Sequence, residues 1–312
     1  MYRYIIKRFL LVIPVVLVVS CIVFCLLDLA PGDAAYIMAS DDMTDAEIEV
    51  LRISMGLNQP VLKRYFVYIG QVLRGNLGTS LRTGVSVWDQ YMARLPTTIK
   101  LALFSEIVTI VIAVPMGVLA ARKQNTWIDT GATTLSLLGL SIPNFWLGLL
   151  FILLFAVRLG WFPASGADAG FKSFVLPAIV VGTGNAASLG RTTRSAMLDV
   201  LRQDYLRTAR AKGCSEKSVV YKHAFRNALI PITTIMFNQL STLFGGAAIT
   251  EAIFALPGVG QLAIQSIRNN DYQVVTGCTI LTTAIVTVMM VLLDIVVAFI
   301  DPRVRAQYSK SK

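Results

Sequence analysis

Residues Phe9 to Ala30 read FLLVIPVVLVVSCIVFCLLDLA, an apolar run with one charged residue, Asp28. At about 1.5 Å per residue, a helix of this length reaches roughly 32 Å, against a bilayer core about 30 Å thick. Arg3, Lys7 and Arg8 precede the run, as basic residues do in a signal peptide. The run is too long for a signal-peptide core, and no clean small-x-small cleavage site follows it. We therefore expect a retained first membrane span.

Five further apolar runs follow, and together the runs predict an all-α integral membrane protein with about six transmembrane helices. The composition agrees, because 55% of the 312 residues are hydrophobic and only 15% are charged. The fourth span is short and rich in glycine and small residues, which suits packing inside a helix bundle. The predicted spans are 9–29, 99–121, 131–157, 174–190, 228–249 and 274–300.

Lysine and arginine residues divide unevenly between the two sides of this predicted bundle. If the N-terminus is cytoplasmic, the inner segments hold 18 of the 28 basic residues and only five of the 18 acidic residues. This is the positive-inside asymmetry of membrane proteins, and it predicts that both termini are cytoplasmic. The asymmetry also accounts for the net charge of +10 without a nucleic-acid partner.

The outer insertion is predicted to contain helices of its own. Thr44 and Glu47 form a capping box that opens an amphipathic helix ending at Gly56, and Pro60 opens a second helix that ends by Gly75. The chain thus divides into an N-terminal span, an outer helical insertion, a transmembrane core and an inner tail, at 1–30, 31–97, 98–300 and 301–312.

A basic loop at 199–227, here called the inner loop, lies between the fourth and fifth predicted spans. Leu201, Tyr205 and Ala209 fall on one helical face, and Gly213 is expected to end this helix as its C′ residue. Ser215 is the predicted N-cap of a second short helix. Two short helices joined at a glycine predict a docking site for a partner. The alternative is a basic loop that only follows the positive-inside rule.

Several motifs, taken together, resemble one family of membrane proteins. They are DYLRTARAKG at 204–213, RNALIP at 226–231, MGLNQP at 55–60, RGNLG at 74–78, LPGVG at 256–260 and DPR at 301–303. Over nearly its whole length the chain is similar to permeases of binding-protein-dependent ATP-binding-cassette (ABC) importers. It is most similar to the peptide/nickel-type subfamily, which includes dipeptide, oligopeptide, glutathione and nickel permeases.

The inner loop departs from the pattern of the wider superfamily at two points. Arg207-Thr208-Ala209 stands where the superfamily has Glu-Ala-Ala, and the Ile-x-Leu-Pro that usually follows the loop glycine is missing at its usual offset. The subfamily tolerates both differences, so the docking role is still expected. We do not expect a contact that depends on the loop glutamate, because this chain lacks that residue.

The resemblance implies a non-catalytic transporter subunit that forms half of a translocation pathway for short peptides. It implies a second, homologous permease in a heterodimer, two ATPase subunits that bind ATP and Mg²⁺, an external substrate-binding protein and a bacterial inner membrane. No cofactor or metal is expected on this chain. In agreement, the sequence contains no G-x-x-x-x-G-K-[ST] loop that could hold the phosphates of ATP.

Three alternatives to a peptide importer remain open from the sequence. Nickel, carried as a chelate, and glutathione are substrates of the same subfamily. An ion-coupled secondary transporter would need an ion site and inverted repeats, and the sequence shows no internal repeat. A purely structural membrane subunit is the third possibility.

The site residues expected from the loop pattern and the resemblance lie on both sides of the membrane. The inner-loop residues expected to dock an ATPase are Tyr205, Leu206, Ala209, Arg210, Ala211, Lys212, Gly213, Ser215 and Val219. The candidate pathway or outer-gate residues are Glu251, Pro257, Gly258 and Asp271. The two acids either receive a binding protein or a cationic substrate, or are solvated loop residues.

Four other polar residues have both a functional and a structural interpretation. Glu106 and Asp294 lie inside predicted spans, where a central charge costs about 2.5–3.5 kcal/mol. Each is either a pore or proton-relay group, or lies near a span end beside a hydrogen-bonding neighbour. His223 is the single histidine and has no partner for a metal site. Ser141 would need a nearby base to act as a nucleophile, so we do not expect an intramembrane protease.

Overall fold

The computed structural model describes residues 6, 8–29, 35–36, 39, 43–54 and 56–300. Arg3, Lys7, Met55 and the tail 301–312 with its DPR motif lie outside the described residues. The described part contains helices and no β-strand, with one isolated bridge between Thr79 and Ser86. The predicted all-α membrane fold is thereby confirmed.

The first three helices form the first span and the outer insertion, namely α1 (Val12–Asp28), α2 (Asp45–Ser54) and α3 (Val61–Val72). The Thr44 backbone N–H donates to the Glu47 carboxylate at 2.8 Å, and the Glu47 N–H donates to Thr44 Oγ1 at 3.4 Å. This is the predicted capping box. Gly56 and Gly75, both with positive φ, end α2 and α3 as predicted.

The remaining helices form the transmembrane core. In chain order they are α4 (Val87–Arg122), α5 (Trp127–Ser141), α6 (Asn144–Phe151), α7 (Lys172–Leu201), α8 (Asp204–Ala211), α9 (Glu216–Ser218), α10 (Phe225–Phe244), α11 (Ala248–Ile253), α12 (Val259–Arg268) and α13 (Tyr272–Ile300). Two π-helical segments connect them, Ile152–Arg158 after α6 and Val219–Ala224 between α9 and α10.

Four helices among the described residues are long and apolar enough to cross a membrane, namely α1, α4, α7 and α13. The predicted third span is not one continuous helix, because α5 and α6 are bent by 93°. Pro143 causes the break, since a residue before proline avoids the helical region and Ile142 is extended (ψ 119°). The predicted fifth span corresponds to α10, which ends at Phe244 and is not among those four helices.

Helices α4 and α7 form the centre of the bundle, and glycines bring their backbones together. A Cβ atom at Gly117 would lie 2.6 Å from the Gly190 carbonyl oxygen, and one at Gly182 would lie 2.9 Å from the Ser105 carbonyl oxygen. Small residues at such contacts are typical of membrane helices. Of the four candidate spans, α7 is the most buried, which confirms the packing role predicted for the fourth span. The prediction that this span is short (174–190) is wrong, because the helix continues to Leu201.

Helix α1 lies at the edge of the molecule. It packs against α13 and α3, and most of its surface is exposed. Its Ser20 hydroxyl is hydrogen-bonded to the Tyr65 hydroxyl of α3 at 2.9 Å, and Arg8 just before α1 pairs with Asp294 of α13 at 3.0 Å. These contacts and the ion pair between Asp28 and Arg64 of α3 therefore fix an otherwise apolar helix to its neighbours.

Candidate functional site

The first residues of the inner loop belong to the end of α7, and the chain changes direction just after them. Gln203 is extended (φ −76°, ψ 143°), so α7 and α8 are separate helices. The expectation that Leu201, Tyr205 and Ala209 lie on one face of a single helix is therefore wrong, because Leu201 belongs to α7 and the other two residues to α8. Leu206 is the fully buried residue of α8, and Tyr205 is 42% exposed.

Helix α8 ends at the predicted glycine. The Gly213 N–H donates to the Arg210 carbonyl at 2.9 Å, and the Cys214 N–H donates to the Ala209 carbonyl at 3.2 Å. Gly213 has a φ of +79°. These two bonds around a left-handed residue form a Schellman motif, so the predicted C′ role of Gly213 is confirmed.

The second half of the inner loop leads directly into the next long helix. The Ser215 hydroxyl accepts a hydrogen bond from the Ser218 N–H at 3.4 Å, as expected for an N-cap. The helix then continues as the π-helical segment Val219–Ala224 and enters α10 without a turn. Short π-helical segments often occur at functional sites.

One side of the inner loop packs against the chain's own bundle. Four of its residues are buried in a single apolar cluster, Leu206, Val219, Val220 and Ala224. The same cluster contains Val118 and Ala121 of α4 and Ala196 and Met197 of α7. Leu206 and Val219 were both predicted to dock a partner, but their side chains are covered by this packing. Leu206 and Val219 therefore anchor the inner loop to α4 and α7.

The other side of the inner loop is open. The remaining predicted docking residues are exposed or half-buried, namely Tyr205, Ala209, Arg210, Ala211, Lys212, Gly213 and Ser215. The Asn227 side-chain amide donates to the Tyr205 hydroxyl at 2.6 Å, which holds α8 over α10. Arg210 donates to the Glu216 carboxylate at 2.6 Å across the glycine turn. The exposed surface is therefore held in a defined shape.

The second candidate region lies towards the other end of α4, where α11 and α12 form a segment called here the outer hairpin (248–268). Glu251 is fully buried, and its carboxylate accepts hydrogen bonds from Thr98 Oγ1 at 2.7 Å and from the Gln261 N–H at 2.9 Å. Thr98 Oγ1 in turn accepts one from the Val259 N–H at 2.9 Å. Both side chains thus satisfy N–H groups in the first turn of α12.

The environment of Glu251 has opposing effects on its protonation. Burial raises the pKa of the Glu251 carboxyl group, and the hydrogen bonds from Thr98 and Gln261 act in the opposite direction. The positive end of the α12 dipole also favours a negative charge at this position. Glu251 therefore serves as a cap that fixes the outer hairpin to α4.

Gly258 is explained by the same contact. A Cβ atom at this position would overlap the Glu251 carboxyl group, so only glycine leaves room for the cap. A second close approach lies nearby, where a Cβ atom at Gly246 would be 2.9 Å from Gly260 Cα. Pro257 is exposed in the turn between α11 and α12.

Asp271, just before α13, joins the outer insertion to the core. Its carboxylate accepts hydrogen bonds from Ser80 Oγ at 2.5 Å and from the Leu81 N–H at 3.2 Å. Because Asp271 and Glu251 are both buried, the interpretation of these acids as solvated loop residues is wrong. Their role in a pathway or gate stays a prediction.

The two acids in predicted spans have different surroundings. Glu106 lies near the middle of α4, which begins at Val87 and so extends well beyond the predicted start at residue 99. It is buried, and neither carboxylate oxygen has a hydrogen-bond partner within the described part of the chain. The span-end interpretation is therefore wrong for Glu106. Asp294 does have a bonded neighbour, Arg8.

An ion pair between α5 and α7 was not predicted from the sequence. Arg194 donates from Nε and Nη2 to the Asp129 carboxylate at 2.5 and 2.7 Å, and the Asn125 N–H donates to it at 3.0 Å. In the sequence both side chains counted only as inner-side charges. The available clue was Asp129 itself, because an isolated acid in a basic inner segment indicates a specific basic partner.

Other chemistry-bearing groups do not come together in the structure. In the ranges that the structure describes, no group of three or more His, Cys, Asp and Glu side chains could hold a metal ion. The Ser141 hydroxyl donates to the Leu137 carbonyl within its own helix. Cys21, Cys25 and Cys214 are free thiols, as is Cys278.

The chain matches two family models and several characterised proteins. AppB of Bacillus subtilis (strain 168), an oligopeptide transport system permease protein, is 41% identical over 97% of this chain and 99% of its own length. GsiC of Escherichia coli O6:H1, a glutathione transport system permease protein, is 37% identical over 98% of this chain and 99% of its own.

The fold is also present in a solved structure. A chain of the MetNI methionine ABC transporter, crystallised in an inward-facing conformation, matches with a TM-score of 0.59 and 20% identity. The match covers 68% of this chain and 96% of that one. The two family models cover 1–102, as the N-terminal part of a binding-protein-dependent transport system membrane component, and 113–306, as the inner membrane component itself. This chain belongs to the family of binding-protein-dependent transport system inner membrane components.

Proposed function

We propose that this chain is the permease subunit of an ABC importer and forms half of the translocation pathway for short peptides. As a member of its family it is a non-catalytic membrane component, and this excludes the ion-coupled secondary transporter considered above. The observation that carries the proposal is the two-sided inner loop, which is fixed to α4 and α7 on one side and open on the other.

The inner loop is suited to transmit force from an ATPase. Its exposed side carries Tyr205, Arg210 and Lys212 in a shape held by hydrogen bonds. An ATPase that binds there would therefore bind a surface that is already ordered. Its buried side is continuous with the core, so any displacement of the loop displaces α4 and α7. We infer two such ATPase subunits that bind ATP and Mg²⁺, a second permease, and an external substrate-binding protein.

Short peptides are the favoured substrates for two reasons. AppB is named for oligopeptide transport and aligns with nearly the whole chain. GsiC is named for glutathione, itself a small modified peptide, which makes glutathione the second candidate substrate. We also place the inner loop and both termini in the cytoplasm of a bacterial inner membrane, on the basis of the positive-inside asymmetry.

Replacement of Gly213 by valine tests the docking role. At a φ of +79°, a side chain costs about 1–2 kcal/mol and forces the end of α8 to rearrange. A tagged wild-type chain, purified in mild detergent, is expected to carry a second permease and ATPase subunits with it. Gly213→Val is expected to reach the membrane, lose the ATPase subunits and abolish peptide uptake.

Gly75→Val is the matched control for this experiment. Gly75 also follows a helix with positive φ, in open space, but in the outer insertion. It should keep the ATPase subunits. Normal uptake by Gly213→Val would contradict docking at the inner loop. A wild-type chain that purifies alone and moves peptides on an ion gradient would contradict the importer.

A further inference from the structure

The ion pair between Asp129 and Arg194 joins α5 to α7. Asp129 is the third residue of α5 and Arg194 lies in the last third of α7. Two parallel N–H···O bonds hold the guanidinium against the carboxylate, and the Asn125 N–H completes the site. The Asp129 side chain is 6% exposed and the Arg194 side chain 29% exposed, so salt screens this pair less than a fully exposed one.

Arg194 lies next to the part of α7 that packs on the inner loop. Ala196 and Met197, which follow it on α7, are part of the same apolar cluster as Leu206 of α8. On the other side, α7 is held to α4 by the close approach of Gly117 to Gly190. The inner loop, α4 and the inner half of α7 therefore form one continuously packed unit.

Asp129 belongs to a segment that packs on α4 and α7 and also reaches the outer hairpin. Helix α5 continues through the 93° bend into α6. A Cβ atom at Gly148 of α6 would lie 3.3 Å from the Phe254 ring and 3.7 Å from Ile253, so α6 packs directly on the outer hairpin. The bent segment α5–α6 thus runs from the ion pair to the outer hairpin, which Glu251 caps.

We propose that Asp129 and Arg194 are positioning residues that couple the inner loop to the outer hairpin through α5 and α6. The proposal rests on the proposed function, because docking of an ATPase supplies the displacement. Rupture of the ion pair would free the first turn of α5 from α7. Packing of Gly139 against Ala187 would still hold the rest of α5 to α7, and the apolar cluster would still hold the inner loop to α4 and α7. Docking and ATP hydrolysis should then survive, and only the response of the pathway should be lost.

The test uses the assembled complex in proteoliposomes and measures peptide uptake and ATP hydrolysis together. Arg194→Gln removes the charge that pairs with Asp129, and Asp129→Asn is a nearly isosteric change that leaves Arg194 in place. Arg191→Gln is the matched control, because Arg191 lies beside Arg194 on α7, is exposed and has no ion pair in the described ranges.

We expect Arg194→Gln to lower peptide uptake per ATP hydrolysed by roughly tenfold, within the range of typical coupling between sites. Asp129→Asn should lower it in the same direction, and Arg191→Gln should match the wild type. All three complexes should retain their ATPase subunits.

Two results would overturn the proposal. One is wild-type uptake per ATP in both Arg194→Gln and Asp129→Asn. If Arg194→Gln does not assemble, wild-type uptake per ATP in Asp129→Asn is sufficient to overturn the proposal. Failure of the proposed function would look different, because the wild-type chain itself would then purify without an ATPase subunit.

Discussion

Buried carboxylates in this chain differ in whether hydrogen-bond donors surround them. Asp129, Glu251 and Asp271 each accept hydrogen bonds from a side chain and from a backbone N–H. Glu106 is as well buried, and both of its oxygens lack a partner within the described residues. A buried polar group without a partner destabilises a fold, so the first three acids are expected to hold the structure together and Glu106 to weaken it.

Replacement of Glu106 by methionine should stabilise the purified chain. The change keeps the length of the side chain and removes an unsatisfied group, which is worth about 1–3 kcal/mol in the free energy of unfolding. Thermal unfolding in detergent measures it. Asp294→Asn is the control and should not stabilise, because Asp294 is paired with Arg8. A lower melting temperature for Glu106→Met would mean that the carboxylate has a partner in the intact chain.

Replacement of Gly258 by alanine should destabilise the outer hairpin. The new methyl group would displace the Glu251 carboxyl group from the first turn of α12, and such overpacking costs about 1–3 kcal/mol in the free energy of unfolding. Gly70→Ala in α3, where a Cβ atom meets nothing within 4 Å, is the control. In a Glu251→Ala background the effect of Gly258→Ala should shrink, and an undiminished effect would contradict this explanation.

At the level of helices, the pairing of α4 with α7 depends on glycine. We predict that Gly182→Ala forces these helices apart, because its Cβ atom would lie 2.7 Å from Val108 Cβ and 2.9 Å from the Ser105 carbonyl oxygen. The expected loss is about 1–3 kcal/mol in the free energy of unfolding, measured by thermal unfolding in detergent. Gly131→Ala in α5, where the space is open, should be neutral. Equal stabilities would show that the contact is not tight.

The ends of helices could be predicted from sequence wherever local chemistry determines them. Gly56, Gly75 and Gly213 each follow a helix in the left-handed conformation, and Thr44 caps α2 with Glu47. The sequence also identified both candidate regions. These features need only a few neighbouring residues, so a single sequence contains the information.

Features that depend on distant residues could not be predicted in this way. Thr98 and Glu251 are 153 positions apart and Asp129 and Arg194 are 65 apart, so neither pair has a local pattern. The division of the inner loop into a buried and an exposed side also depends on distant residues, because packing against α4 and α7 determines which face of α8 is buried. The bend at Pro143 was visible as a proline, but proline inside membrane helices is often tolerated.

For the whole molecule, the positive-inside asymmetry predicts which face lies in the cytoplasm. In a chain whose four cysteines are replaced, Lys63→Cys in α3 should react with an impermeant thiol reagent in right-side-out membrane vesicles. Lys217→Cys in the inner loop should react only after the vesicles are permeabilised. Both positions are exposed in the structure. The opposite pattern of labelling would invert the proposed orientation.

The four continuous spans differ in how far they depend on one another. Their apolar character falls in the order α1, α13, α4, α7, and the fraction of buried residues rises in the same order. A helix surrounded by lipid must be apolar on all sides, whereas a central helix meets small residues and polar backbone groups of its neighbours.

This order has a consequence for biogenesis. Helix α1 leaves the ribosome first, yet its main neighbour α13 begins only at Tyr272, about 240 residues later. At roughly 5–20 residues per second, α1 waits about 12–50 seconds for that neighbour. Its continuous apolar surface lets it remain in the bilayer alone for that time. Helix α7 is the least apolar of the four, and it leaves the insertion machinery when α4, its closest neighbour, is already in place.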